Sequence, residues 1–279
     1  MSIDPRIDSR AAIGIFDSGF GGLTVMKAVQ KLLPHENIIY FGDTARLPYG
    51  TKSRETILRY SMENASFLIQ QGIKVLVVAC HTACSFALEE LQQKFDLPII
   101  GVTTSMIEQI GQLSPRGKIA VLGTHGTIGS GAYQNAIKKL LPKAEISPIA
   151  CQLLVHLVEE GYIDHPITAM AIFEYLHSLK NKDIDTIILG CTHFPLLIKQ
   201  IQQSVGPRVQ VIDPAQFCAA SLQKLLKARQ LINPDKGLPS TQFFVSDDPE
   251  KFRILGNTFL GHPLPEVTSL KNINYVFEI

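Results

Sequence analysis

Short apolar runs, rich in β-branched residues, recur along the chain, and amphipathic stretches of helical period separate them. The runs are AIGIF (12–16), NIIYF (37–41), VLVVA (75–79), PIIGV (98–102), IAVLG (119–123), EISPIA (145–150), TIILG (186–190), VQVID (209–213) and QFFVS (242–246). Helical patterning covers Leu23–Leu33, stopped by Pro34, and Ser53–Gln71, closed by Gly72. It returns over Ser85–Phe95, Ile128–Leu141, Ile167–Leu179 and Phe194–Val205. Near-continuous apolar strands separated by helices predict parallel sheets covered on both faces. The fold class expected is therefore α/β. In such folds chemistry gathers beyond the C-terminal ends of the strands, where loops lead into helices.

The pattern carries a faint internal echo. IFDSG (15–19) resembles VLGTHGT (121–127), and VVACHT (77–82) resembles LGCTH (189–193). Two related α/β lobes facing each other account for both echoes, with equivalent strand ends pointing into one shared cleft. Chance likeness between apolar strands accounts for them too. No low-complexity linker marks a boundary. The segment from about 214 to 279 alternates helix and strand, and is expected to return to the first lobe and complete its sheet.

Polar and reactive residues gather at the strand ends: Asp17-Ser18-Gly19, Asp43-Thr44, Cys80-His81-Thr82, Thr124 to Thr127, and Cys191-Thr192-His193. A thiol between a strand end and a helix N-terminus meets backbone N–H groups and the helix dipole. Such settings lower a cysteine pKa to about 3.5–7.5, so Cys80 and Cys191 are expected as reactive thiols. Cys151 and Cys218 lack polar company and read as small packing residues. Lys74 and Lys118 fall at strand beginnings, the wrong end for a Schiff base. DSGFGG (17–22) matches neither nucleotide-binding glycine pattern, and a tight turn that admits a small ligand to the backbone is the better reading. RLPYGTK (46–52) reads as a turn presenting Tyr49. In Glu159-Glu160-Gly161 a helix ends; Glu159 reads as its solvated terminus. His35, His125, His156, His165, His177 and His262 have no partner by spacing and read as surface or packing residues.

Composition narrows the function without naming it. The 279 residues are 46% hydrophobic and 18% charged, with a net charge of +1. With no basic cluster interleaved with aromatics, nucleic acid is not expected as a partner. The longest apolar run, near Val75–Cys80, is far short of a membrane span. The polar start MSIDPRIDSR reads as no secretory signal. Five cysteines at no framework spacing suggest free thiols in a reducing cytoplasm.

Taken together, IGIFDSGFGGLTV (13–25), YFGDTARLPYG (40–50), VVACHTA (77–83), GVTTS (101–105), VLGTHGTI (121–128), LVEEG (157–161) and LGCTHFPLL (189–197) resemble the cofactor-independent glutamate racemases of the aspartate/glutamate racemase superfamily. The resemblance implies two pseudo-symmetric lobes, 1–103 with 213–279 and 104–212, and a homodimer in the cytoplasm. It implies interconversion of L- and D-glutamate for peptidoglycan synthesis, with no metal or organic cofactor. Cys80 would act on D-glutamate and Cys191 on L-glutamate, helped by Asp17 and His193 respectively. Ser18, Pro48, Tyr49, Gly50, His81, Thr82 and Thr192 match substrate-binding positions, with Asp43, Thr124, Thr127 and Glu160 in support. Inverting a stereocentre needs a base on one face and an acid on the other, and the hydroxyls of Ser18, Thr82 and Thr192 are fixed donors for the charge that develops.

Four residues depart from the family pattern, one of them Cys84, a packing replacement where Ser or Thr is usual. His81 stands where Asn is usual, and Gln152 and His156 stand where prolines are expected. Neutral His81 offers one donor and one acceptor, as an amide does, whereas a protonated ring would hold a Cys80 thiolate more strongly. A related acidic substrate such as aspartate is one alternative. Another is a zinc site using Cys80, His81, Cys84, Cys191 and His193, although Cys80 and Cys84 straddle a strand-to-helix turn rather than a zinc knuckle. A third is a regulatory protein that kept the fold without catalysis.

Overall fold

Nine apolar runs become nine strands in the computed structural model, which describes residues 7–270. The first half of the chain builds β1 (Ile13–Asp17), α1 (Leu23–Leu32), β2 (Ile38–Gly42), α2 (Arg54–Gln70), β3 (Val75–Val78), α3 (His81–Lys94), β4 (Ile99–Gly101), α4 (Val102–Ile107) and α5 (Ile110–Leu113). Next come β5 (Lys118–Gly123), α6 (His125–Gly129), α7 (Ala132–Leu140), β6 (Glu145–Ala150), α8 (Gln152–Glu159), α9 (Pro166–His177), β7 (Thr186–Gly190), α10 (Ile198–Val205) and β8 (Gln210–Ile212). The chain closes with α11 (Pro214–Ala228), β9 (Thr241–Val245), α12 (Pro249–Leu260) and β10 (Val267–Ser269).

Two all-parallel sheets result, ordered β10-β9-β2-β1-β3-β4 and β6-β5-β7-β8. The order β2-β1-β3-β4 of the first is repeated as β6-β5-β7-β8 in the second. The sequence echo therefore has a topological counterpart: β1 corresponds to β5, and β3 to β7. β9 pairs with β2 and β10 with β9, so the late strands extend the first sheet, while α11 packs on α1 and α4. Residues 1–6 and 271–279, included in the expected first lobe, lie outside the described residues.

Every residue of β1, β2, β3 and β7 is buried, as strands covered on both faces require. One apolar cluster runs through both sheets, and a smaller one, with Met106, Ile110, Val121, Tyr133, Ile137 and Ile188, fills a face of the second. The two strand-start lysines are structural: Lys74 is buried against Glu36 and the Ser9 carbonyl, and Lys118 pairs with Glu145.

Helix boundaries depart from the periodicity in informative places. The third helix begins at His81 rather than Ser85, because Cys80 occupies its N-cap and its sulfur accepts the Ala83 N–H. The stretch expected as one helix over Ile128–Leu141 is broken between α6 and α7 at Gly131, whose φ of 70° is a left-handed conformation that suits glycine. β10 is three residues long, too short for a sequence period to show.

Candidate active site

The C-terminal ends of the two sheets converge on one cavity. From the first sheet come Ser18, Pro48, Tyr49, Gly50, Cys80, His81 and Thr82; from the second come Thr124, Glu159, Cys191, Thr192 and His193. Its free volume is about 20 Å³, room for a water molecule and little more. A larger depression of about 770 Å³ lies at the opposite edge of the second sheet, lined by Arg116, Phe173, Lys180 and Arg208 among others. That depression sits at strand beginnings and contains no thiol, so the chemistry belongs to the smaller cavity.

On the first sheet, Cys80 follows β3 and caps α3. Its sulfur accepts the Ala83 N–H at 3.5 Å and lies within reach of the Ser18 hydroxyl. The strand-end position was expected to depress its pKa. Burial instead pushes the thiol up, with the Asp17 carboxylate adding to the effect and the two hydrogen bonds opposing it. One turn of helix dipole does not offset desolvation of a sulfur that is 6% exposed. Asp17, at the end of β1, is fully buried; burial raises its carboxyl, opposed by His193, by the Gly19 and Gly22 N–H groups and by the Thr192 hydroxyl. His81 is buried beside Cys80, and burial lowers its pKa to about 3, so the ring is neutral. Of the two states weighed for His81, neutral and protonated, burial selects the neutral one.

On the second sheet, Cys191 follows β7. Its sulfur lies 3.7 Å from Nδ1 of His193, whose Nε2 lies 2.9 Å from Oε1 of Glu159. Burial pushes the His193 pKa down, but hydrogen bonds and charge from Cys191 and Glu159 outweigh it and lift the ring to about 10. The carboxylate that meets His193 is Glu159, whereas Glu160, expected in support, is exposed at the C-cap of α8 and does not line the cavity. The reason is helical register: Val155 and Glu159, four residues apart, share the face that lines the cavity. That i, i+4 relation to the apolar Val155 was the sequence signal available for choosing the first glutamate of the pair.

The seam between the sheets is built of hydroxyls. Thr82 Oγ1 lies 2.9 Å from Thr124 Oγ1 and 3.1 Å from Thr127 Oγ1. Thr24 donates to the Thr192 carbonyl at 3.0 Å, and Thr192 donates to Asp17 at 3.4 Å. Gly21 permits this approach, since a Cβ there would stand 2.2 Å from Thr192 Oγ1 and 2.6 Å from His193 Nδ1. DSGFGG thus brings the start of α1 against the second sheet's functional turn. Asp43 does not reach the cavity directly. Its carboxylate receives Arg46, Ser246 and the hydroxyl of Tyr49, and Asn64 donates to that hydroxyl at 2.9 Å, which fixes the Tyr49 ring in the cavity wall.

The remaining candidates take structural places. Cys84 donates to the Val78 carbonyl at 3.1 Å, and Cys151 and Cys218 are fully buried. His125, His156, His165, His177 and His262 are exposed and His35 is half-buried. Among the described residues, no group of three or more His, Cys, Asp or Glu side chains is disposed to hold a metal ion. Sequence reasoning missed Tyr133, which reaches from α7 to His81.

Two thiols that line one cavity from repeated sheets, Cys80 near the Asp17 carboxylate and Cys191 near the His193 ring, point to a class of protein, and comparison with known proteins gives that class. The family model Asp/Glu/Hydantoin racemase matches residues 14–222, and the chain belongs to that family. It is 48% identical over 265 residues to the glutamate racemase of Chlorobaculum tepidum, covering 94% of this chain and 97% of that one. The crystal structure of glutamate racemase from Francisella tularensis in complex with D-glutamate superposes with a TM-score of 0.88 at 38% identity, covering 95% of this chain and 99% of the other. An aspartate racemase from Picrophilus torridus shares the fold at a TM-score of 0.56 and 20% identity, a likeness of architecture alone.

Proposed function

We propose that the protein is a glutamate racemase that moves the α-proton between two cysteines. The observation that carries this reading is the placement of Cys80 and Cys191 after the equivalent strands β3 and β7, lining one cavity from opposite sheets. A thiolate on one side removes the α-proton, and a thiol on the other returns one to the opposite face. Cys80 removes the proton of D-glutamate and Cys191 that of L-glutamate, with Asp17 and Glu159-supported His193 as their respective partners. Burial keeps Cys80 protonated at rest, and the His193 imidazolium offers the Cys191 sulfur a cationic partner. The resting site therefore holds on Cys80 the proton to be given, with the His193 imidazolium facing the sulfur that takes one from L-glutamate. A raised thiol pKa also makes the Cys80 thiolate a stronger base in the reverse direction, which suits a weakly acidic α-proton. Ser18, Thr82, Thr192 and Gly50 supply the donors around the substrate, and Thr124 and Thr127 hold Thr82.

In this reading residues 1–103 with 213–279 form one lobe and 104–212 the other, and D-glutamate is supplied for peptidoglycan in the cytoplasm. Free, buried cysteines suit a reducing compartment, and among the described residues no helix is long and apolar enough to cross a membrane. The same reading makes the enzyme a homodimer, for which the exposed Ile167, Met170 and Phe173 on one side of α9 offer an apolar row.

The test is racemisation of L- and D-glutamate, with aspartate beside them, by purified reduced protein without added cofactor, in heavy water. Interconversion with deuterium entering the α-position, abolished by Cys80→Ser and by Cys191→Ser, is expected. Absence of both exchange and racemisation would sink the reading, and faster turnover of aspartate would change the substrate.

A further inference from the structure

The ring of His81 is held from across the seam. Its Nδ1 lies 2.9 Å from the hydroxyl of Tyr133, and the rings stack with centroids 6.0 Å apart and planes 25° from parallel. His81 begins α3 on the first sheet's side, whereas Tyr133 belongs to α7 on the second. Both are buried, at 3% and 1% exposure. The Tyr133 ring also packs beside Gly190, the residue before Cys191, where a Cβ would stand 3.3 Å from its Cε2. One tyrosine therefore touches the residue after Cys80 and the residue before Cys191.

The direction of this hydrogen bond is set by what each atom can do. A phenol carries a proton that must find an acceptor when buried. Among the described residues, the partner of the Tyr133 hydroxyl is His81 Nδ1. A ring with its proton on Nδ1 would donate to the tyrosine oxygen and leave the phenol proton unmatched. With the tyrosine donating, Nδ1 is the acceptor and the ring proton sits on Nε2, the nitrogen still uncommitted in a side chain that lines the cavity. Burial keeps the ring uncharged and the phenol protonated, so neither partner changes role near neutrality.

We propose that Tyr133 is a positioning residue: by donating to His81 Nδ1 across the seam it fixes the Nε2–H tautomer and presents a neutral N–H donor to a carboxylate of the bound amino acid. The identity of that ligand rests on the racemase reading; the tautomer does not. A side chain as short as asparagine, usual in the family at this position, does not extend as far toward Tyr133. The histidine thus combines substrate contact with a tie between the sheets, and adds no positive charge beside Cys80.

The full-length wild-type protein labelled with ¹⁵N-histidine tests this directly. Long-range proton–nitrogen spectra, with His81 assigned by its loss in His81→Asn, should show the Nε2–H tautomer unchanged between pH 5 and 9. In Tyr133→Phe the same signal should shift toward Nδ1–H or a tautomer average, and KM for glutamate should rise about tenfold with kcat within about twofold. In the His81→Asn background, Tyr133→Phe should leave KM unchanged. A wild-type proton on Nδ1, or a Tyr133→Phe effect on KM that persists without His81, would overturn the proposal. Were wild type to turn over no glutamate, the racemase reading would fall while the spectrum still decided the tautomer.

Discussion

Glu159 and His193 are 34 positions apart in the chain, yet their side chains meet at 2.9 Å, with the far nitrogen of the same ring facing Cys191 at 3.7 Å. The carboxylate orients the imidazole and favours its protonated form, as a carboxylate does for a histidine next to any developing anion. Glu159→Gln is expected to slow removal of the proton from L-glutamate by about tenfold or more, and Glu160→Gln to leave it within about twofold. With the carboxylate gone, the His193 pKa moves down from about 10, so the alkaline limb of the pH–rate profile moves to lower pH. Steady-state kinetics of the two variants in both directions check the pair; a larger effect of Glu160→Gln would place the supporting acid at Glu160 after all.

Asp17 acts on the other thiol through charge. The buried carboxylate adds to the elevation of the Cys80 pKa, so Asp17→Asn should bring the midpoint of Cys80 alkylation to lower pH while turnover falls about 100-fold. Mass spectrometry of the peptide carrying Cys80, after timed treatment with a small alkylating agent, reads the first effect. An unchanged midpoint would show that Asp17 is protonated in the folded protein.

The two site histidines push stability in opposite directions with pH. His81 has a folded pKa of about 3 against about 6.5 unfolded, so the unfolded chain binds the extra proton and stability falls as pH drops from about 6.5 toward 3. His193 has a folded pKa of about 10, so its contribution is complete below about 6.5 and is lost as pH rises through 10. Urea titrations of wild type and His81→Asn at a series of pH values should show the acid slope reduced in the variant, by at most about 1.4 kcal/mol per pH unit.

Cys84 separates a packing role from a metal-binding one. Its sulfur donates to the Val78 carbonyl, burial lifts its pKa to about 11, and a Cβ on Gly101 would stand 2.8 Å from it. Cys84→Ala should leave racemisation within about twofold and lower stability by about 1 kcal/mol. Loss of activity with stability intact would return Cys84 to the chemistry.

Gln152 holds two buried amide atoms without a partner among the described residues. Gln152→Leu should therefore raise the unfolding free energy by about 1 kcal/mol or more, measured by the denaturant midpoint. The proline of the family pattern fits less well here, because Cys151 has ψ of 46°, outside the extended range a residue before proline prefers. A loss of stability in Gln152→Leu would mean the amide is satisfied in solution.

Much of this was legible in the chain. Apolar runs of five or six residues reported the strands, most plainly β1, β2, β3 and β7, where both faces are covered, and the echo of VVACHT in LGCTH reported that the sheets repeat. Strand-end positions brought Cys80, Thr82, Cys191 and Thr192 together for the same reason. What local sequence could not carry was set by three-dimensional environment. Desolvation decided the Cys80 and His81 ionisations, helix register chose Glu159 over Glu160, and Tyr133 gained its role from a helix that meets His81 only after the sheets come together. β10 went unseen because three residues hold no period.

The hydroxyl seam has a kinetic meaning. A cavity with room for a water molecule must widen before it admits an amino acid, and Thr82 meets Thr124 and Thr127 across its seam. These are neutral groups, each able to donate or accept, and each finds an equivalent partner in water when the sheets separate, at a net difference of about 0.5–1.5 kcal/mol per bond. No ion pair has to be broken among them. Widening the cavity also separates the Asp17 carboxylate from Thr192 and from the His193 ring, so ionic strength as well as solvent viscosity bears on the motion.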